Sequence, residues 1–367
     1  MPRAELTNSR LVSRIQRGCI MKRLFSANGL FAVFLFCFSL HAIADKPPQV
    51  RIAWSVYVGS MPLGYAQESG ILKRWGEKFG VDLSAVQVND YIEGINQYTA
   101  GEFEGTIAML LDALTIPAAS GVDTSVPLLL SNSLGNDGII LKDGKDLSAI
   151  KGQPVNLVQF SGSHYLLARG LEKAGLSERD VTVVNTSDAD MIALFPNNTV
   201  KAMVTWQPQL ASILSANTNA HLVFSSADIP GEINDGLLIR TDLLKKHPGI
   251  GKAIAGAWYE VMDILAASGP EHEQAIAWMA EASGTDAAGF RQQLKTTHFY
   301  APAEGAAFVG SADFQQGLAH IQQFSFEQGL LGEGIRQPGD IGIAFPGKVA
   351  GNANHIKLRF PAEFMGK

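Results

Sequence analysis

Lys151–Leu210, KGQPVNLVQFSGSHYLLARGLEKAGLSERDVTVVNTSDADMIALFPNNTVKAMVTWQPQL, reads as a complete β-α-β-α-β unit with chemically marked loops. Val155–Gln159 is a short apolar strand, followed by Phe160-Ser161-Gly162-Ser163-His164. Tyr165–Lys173 has helical apolar spacing and a stop at Gly175. Val181–Asn185 is a second strand, and Asp188 opens a helix through Met191, Ile192 and Leu194. Ala202–Thr205 is a third, ended by Trp206-Gln207-Pro208. Strands alternating with short helices predict a parallel sheet, whose ligands gather at the carboxyl ends of the strands. Those ends carry Ser161, His164, Asp188 and Trp206.

Outward from this unit, the pattern repeats upstream. Val50–Trp54, Leu83–Val88 and Gly105–Met109 read as strands, with helices after Pro62, Asp90 and Asp112. Asn136–Leu141 reads as a strand leaving the first unit for the second, and Gly236–Arg240 as the return. Two units joined by two crossing strands make a hinge, with a ligand cleft between them. The expected organisation is a discontinuous lobe I (45–140 plus 237–367) and a lobe II (141–236), each a mostly parallel sheet flanked by helices. Beyond Thr241 the pattern turns helical, and the Gly- and Pro-rich tail from Glu333 is expected to wrap the surface.

The N-terminus reads as a targeting segment. Met21-Lys22-Arg23 is a plausible start, making residues 1–20 an upstream over-annotation. The apolar run Leu30–Leu40 is too short to span a bilayer, and Ala42-Ile43-Ala44 has the small residues of a signal-peptidase site. Residues 21–44 are thus expected to be a signal peptide cleaved after Ala44, which puts the remaining chain in the periplasm. Both cysteines, Cys19 and Cys37, fall before that point, so no disulfide framework or thiolate metal site follows it. Residues 45–367 hold 29 − 6 = 23 basic and 35 − 1 = 34 acidic side chains, a formal charge of 23 − 34 = −11. Such a balance argues against nucleic-acid and anionic-membrane partners.

The run Gly64-Tyr65-Ala66-Gln67-Glu68-Ser69-Gly70, the segment Leu147–Gly152 and the Trp206-Gln207-Pro208 ending resemble periplasmic substrate-binding proteins of nitrate/sulfonate/taurine-type ABC transporters. The likeness covers most of the chain after the leader. It is closest to the subgroup encoded beside urea carboxylase, through Asn89-Asp90-Tyr91, Gln97–Gly101, Asp112–Pro117, Asn136-Asp137-Gly138, Ser163–Arg169 and Asn185–Asp190. Two stretches depart from it: Leu110-Leu111 stands where the subgroup has a more polar pair, and Ser131-Asn132-Ser133-Leu134 is unusual before the hinge. The resemblance implies a type II two-lobed fold and a monomeric, non-enzymatic receptor without cofactor. It also implies a transporter permease and ATPase as partners, and guanidinium as the ligand. Sulfonate or taurine, nitrate, urea and a pyrimidine thiamine precursor are the alternatives on the same fold.

The residues carry their own argument about charge. The strand-end loops Ser55–Pro62, Asn89–Glu93, Leu110–Leu114, Phe160–His164, Thr186–Asp190 and Trp206–Gln209 contain no Lys or Arg. An anion site usually wants such groups or aimed helix N-termini, whereas a planar cation wants carboxylates at its edge and an aromatic face. Candidate contacts are Trp54, Tyr57, Asp90, Asp112, Asp137, Ser161, His164, Asp188, Trp206 and Asp235. Each has a plainer reading. Asp90 with Glu93 fits a capping box, Asp188 and Asp112 can cap helices, and Asp137 and Asp235 can form turns. Trp54 and Trp206 can be core, and His164 a hydrogen-bonded helix-start residue. A hydrolase built on Ser161 or Ser163 with His164 lacks the G-x-S-x-G elbow. A metal centre lacks both an H-E-x-x-H motif and clustered histidines.

Overall fold

The computed structural model describes residues 46–366; the expected signal peptide and its cleavage point lie outside the described residues. The alternation of apolar segments and helices becomes two sheets. The first begins with β1 (Gln49–Trp54), β2 (Asp82–Gln87), β3 (Gly105–Met109) and β4 (Thr124–Ser133). The second comprises β5 (Asp137–Lys142), β6 (Pro154–Leu157), β7 (Thr182–Asn185), β8 (Ala202–Trp206) and β9 (Ala220–Ser225). The chain then returns to the first sheet with β10 (Asn234–Arg240), β11 (Thr297–Phe299), β12 (Gly342–Phe345), β13 (Lys348–Ala350) and β14 (Ile356–Arg359). The order is β13-β12-β14-β4-β10-β3-β1-β2, with β11 also on β4, and β7-β6-β8-β5-β9.

Each sheet is mostly parallel, as expected, with a minority of opposed strands set into it. β1 is parallel to β2 and β3, while β10 runs antiparallel between β3 and β4. Likewise β6 is parallel to β7 and β8, while β5 opposes β8 and β9. β5 and β10, the strands that enter each sheet after a crossing, oppose the neighbours on both their sides, and β11 and β13 oppose β4 and β12. Each lies in a single sheet. The crossings are the short links 134–136 and 226–233, a few residues N-terminal to the expected ones.

β4 and the tail were not legible as strands. β4 is buried along its whole length, and its continuous apolar run includes Pro127, which argues against a central strand. The ladder to β10 shifts register there, pairing Leu237 with Leu128 but Ile239 with Ser125. The missing proline N–H falls at this irregularity and costs no regular ladder bond. The tail, expected as a surface wrap, instead adds β12, β13 and β14 to the sheet edge, with β14 parallel to β4. Ile343, Phe345 and Leu358 bury there, and this apolar gain outweighs the Gly- and Pro-rich composition around them.

The helices cover the sheets by close packing. In the helix Gly249–Ala266, Gly256 lies against Trp75, and a Cβ added at Gly256 would fall 2.2 Å from the indole. Trp75 is also fixed by its Nε1–H, which donates to Glu260 Oε2 at 2.6 Å. Gly256→Ala is therefore expected to destabilise the protein by about 1–3 kcal/mol through overpacking, read as a lower urea midpoint at unchanged slope. A midpoint equal to wild type's would show that this helix contact is loose. Among the described residues no helix is long and apolar enough to cross a membrane.

Candidate ligand-binding site

The carboxyl ends of β1 and β3, the crossing links and the first turn after β6 converge on one small cavity of about 40 Å³. Its wall includes Tyr57, Tyr91, Asp112 and Asp235, with Asp137, Ser161, Gly162, Ser163 and Trp206 from the second lobe. Ile107, Met109 and Ile233 complete an apolar side. Among the described residues no Lys, Arg or His lines it.

Three buried carboxyls define the chemistry. Asp112 lies in the helical turn Leu110–Ala113 directly after β3 and is fully buried. Its Oδ2 accepts from the Tyr91 hydroxyl at 2.6 Å, and that hydroxyl in turn accepts from the Met109 N–H at 3.0 Å. Tyr91 can reach because it opens the helix Tyr91–Ala100, whose N-cap is Asp90. Asp137 opens β5 opposite Trp206, and its Oδ2 accepts from Ser133 Oγ at 2.5 Å. Asp235, in β10, faces Met109 and Ser131 across the sheet. Its Oδ2 accepts from the Tyr57 hydroxyl at 2.9 Å and from Ser131 Oγ at 3.1 Å. Asp137 and Asp235 therefore stand at the two chain crossings, where the lobes meet.

This clustering is electrostatically costly. Burial pushes the Asp112 carboxyl up to about 7, against the opposing hydrogen bond from Tyr91, and nearby Asp235 and Asp137 push it further. Burial lifts Asp137 to about 7 despite Ser133, with Asp235 adding to the rise, and burial lifts Asp235 to about 6 despite Tyr57 and Ser131. Burial first, and the adjacent carboxyls second, hold the Tyr57 and Tyr91 phenols well above the ordinary phenol range, so both serve as neutral donors. Two cavity atoms are left over. Asp112 Oδ1 and Ser163 Oγ are buried without a hydrogen-bond partner. The Gly162 N–H comes close enough to lower the Asp112 pKa, yet Oδ1 keeps no bond of proper geometry. Unpaired buried acceptors are expensive, and a donor entering the cavity would satisfy them.

Of the residues singled out in the sequence, Tyr57, Asp112, Asp137, Ser161, Trp206 and Asp235 are brought together here. Trp206 is buried and meets Tyr91 edge-on, with ring centroids 5.7 Å apart. Ser161 caps the helix Gly162–Lys173, accepting from the Ser163 N–H and donating to Val158 O at 2.7 Å.

Trp54, Asp90, His164 and Asp188 do not line the cavity. Trp54 packs its ring on Gly64 in the core. Asp90 caps its helix through the Glu93 N–H (2.9 Å) and accepts from Ser187 Oγ (2.8 Å), tying the lobes together beside the cavity. Asp188 accepts from the Tyr91 N–H at 3.5 Å, and burial and then Asp90 raise it to about 6. His164 sits behind the site. Its Nδ1 accepts from the Phe160 N–H at 3.2 Å and its Nε2 lies 3.3 Å from Glu178. Its Nδ1 is thus taken by Phe160, its Nε2 is buried without a hydrogen-bond partner, and neither ring nitrogen bonds Ser161 or Ser163. Among the described residues, no group of His, Cys, Asp and Glu is placed to hold a metal ion.

Tyr91, Met109, Ser131, Ser133 and Ser163 are the site residues that sequence reasoning did not select. Tyr91 had a signal, being an aromatic residue beside a strand-end N-cap. Ser131 and Ser133 enter through the β4–β10 register, which no local pattern displays, and Ser163 through the first turn of the helix that Ser161 caps.

No protein-family model matches the chain, and no curated protein matches it. Solved structures do match. The alkanesulfonate-binding protein SsuA of Xanthomonas axonopodis pv. citri, bound to MOPS, superposes with a TM-score of 0.65 at 19% identity, covering 78% of this chain and 96% of that one. The periplasmic aliphatic sulphonate binding protein SsuA of Escherichia coli gives 0.63 at 20% identity, covering 78% and 94%. The periplasmic nitrate-binding protein NrtA of Synechocystis PCC 6803 gives 0.60 at 12% identity, covering 77% and 82%. The chain therefore has the two-lobed α/β fold of these periplasmic binding proteins.

Proposed function

We propose that this protein is the solute-binding receptor of an ABC-type importer and captures a small nitrogenous cation, with guanidinium as the ligand. The observation that carries the reading is the trio Asp112, Asp137 and Asp235, buried around one cavity without a cationic partner. Bringing a delocalised cation among them replaces mutual repulsion with attraction and charge-assisted hydrogen bonds. Guanidinium presents N–H donors around its whole edge, which suits three carboxyls, and flat faces, which suit Trp206 and Tyr91. The unpartnered Asp112 Oδ1 and Ser163 Oγ are acceptors for such donors.

The similar structures are of sulfonate- and nitrate-binding proteins, yet an anion in this cavity would face three carboxyls and no cation. Urea matches the shape but brings no charge to offset the carboxyls. In periplasmic receptors of this shape the ligand is enclosed as the lobes come together, so both lobes contribute contacts only when closed.

A thermal-shift screen tests the reading. Guanidinium at about a hundred times its dissociation constant should stabilise the fold by about 2.7 kcal/mol through mass action, raising Tm. Nitrate, taurine, bicarbonate and urea at equal concentration and ionic strength should leave Tm unchanged. A shift with an anion and none with guanidinium would reverse the assignment.

A further inference from the structure

We infer that the thioether of Met109, seated against Gly162, is the specificity-determining wall of the cavity and excludes N-alkylated homologues of the small cation. The inference rests on the cation reading above and concerns the size of the ligand rather than its charge.

Met109 is the last residue of β3, and its backbone is fixed from two sides. Its N–H donates to the Tyr91 hydroxyl at 3.0 Å, and it pairs with Asp235 across the sheet. Its side chain is buried and lines the cavity. Gly162 lies opposite, opening a helix of the other lobe. A Cβ at Gly162 would fall 2.4 Å from Met109 Sδ, so the sulfur occupies the gap between the lobes directly against that backbone. The thioether is both a lobe-to-lobe contact and one boundary of the cavity.

The other walls are tied down. Tyr57 and Tyr91 are bonded to Asp235 and Asp112, and Trp206 stands edge-on to Tyr91. Ile107 and Ile233 are β-branched and stiff. Met109 is the lining side chain that is both unbranched and free of polar bonds, the kind that fills an irregular gap. Trimming it enlarges the cavity without changing any charge. Discrimination against one extra methylene by an apolar wall is typically about 10- to 200-fold.

The experiment is titration calorimetry of guanidinium, methylguanidinium and ethylguanidinium with wild type, Met109→Ala, Met109→Val and Met109→Leu. Wild type should prefer guanidinium over ethylguanidinium by about 100-fold or more, and the two trimmed variants should reduce that preference by at least about tenfold. Met109→Leu, which conserves volume, should keep it. Either trimmed variant suffices if the other folds poorly by circular dichroism. A preference unchanged on trimming, or a wild type that binds ethylguanidinium as tightly as guanidinium, overturns the size filter while leaving the cation reading intact. A wild type that binds none of the three overturns the cation reading and the filter together.

Discussion

Asp112→Asn should remove guanidinium binding while leaving the empty protein at least as stable as wild type. The substitution keeps the shape and an oxygen for the Tyr91 hydroxyl. It deletes a charge buried among Asp137 and Asp235, which in the empty protein is a source of repulsion and desolvation cost. In the bound state that charge is the counter-ion. An amide there turns an N–H donor toward a ligand that is itself all donors. Truncating one partner of a buried, hydrogen-bonded charge pair costs about 2–5 kcal/mol, or about 30- to 5,000-fold in affinity. Calorimetric titration gives the affinity, and urea unfolding of the ligand-free proteins gives the stability. Wild-type affinity in the variant would remove Asp112 from the site. A loss of binding matched by a large drop in the unfolding midpoint would make Asp112 a structural residue instead.

Opposite signs for binding and stability follow from how the site is built. Asp112, Asp137 and Asp235 come from three separate strand ends, and each is held by a hydroxyl donor rather than by a cation: Tyr91, Ser133 and Tyr57 with Ser131. Neutral donors fix the carboxyls in place without neutralising them. An Arg at any of these positions would fill the charge vacancy that a ligand needs.

Much of this was legible because strand ends announce themselves. Val155–Leu157 and Ala202–Trp206 are apolar runs stopped by polar loops, so Ser161 and Trp206 could be placed at a cleft from local pattern alone. Asp112, Asp137 and Asp235 were legible as candidates for the same reason, though not separable from Asp90 and Asp188. All five sit at element starts, where capping and ligand contact demand the same residue type. What separates them is tertiary. The Tyr91 hydroxyl reaches Asp112 over a separation of 21 residues, whereas Asp90 turns to Ser187. Trp54 ends its strand as Trp206 does, but Gly64 beneath it opens a slot in the core. Pro127 hid β4, because a proline inside a central strand is acceptable only where the ladder slips, so the unusual Ser131–Leu134 stretch could not be placed on a strand.

Guanidinium affinity should rise with pH between about 5 and about 8, with protons released on binding. Burial raises Asp112 and Asp137 from the ordinary 3.8 to about 7 and Asp235 to about 6. At these three carboxyls the empty folded state therefore holds more protons than the unfolded state from about pH 4 to about pH 7. These groups take stability away as pH rises through that window, and contribute nothing below it, where both states are protonated. Because the carboxyls interact, they titrate as a unit rather than singly. A bound cation favours the ionised forms and lowers their pKa values, so binding at pH 6 must expel protons, while at pH 8 few remain. Each proton displaced weakens apparent affinity about tenfold per pH unit below the midpoint of the site. Titrations at pH 6 in two buffers of different ionisation enthalpy should differ in apparent heat by the protons released, and the difference should fade at pH 8. Urea has no charge to favour ionisation, so its binding should show no release. Guanidinium affinity equal at pH 5.5 and pH 8, with heats independent of buffer, would mean that the three carboxyls do not meet the ligand.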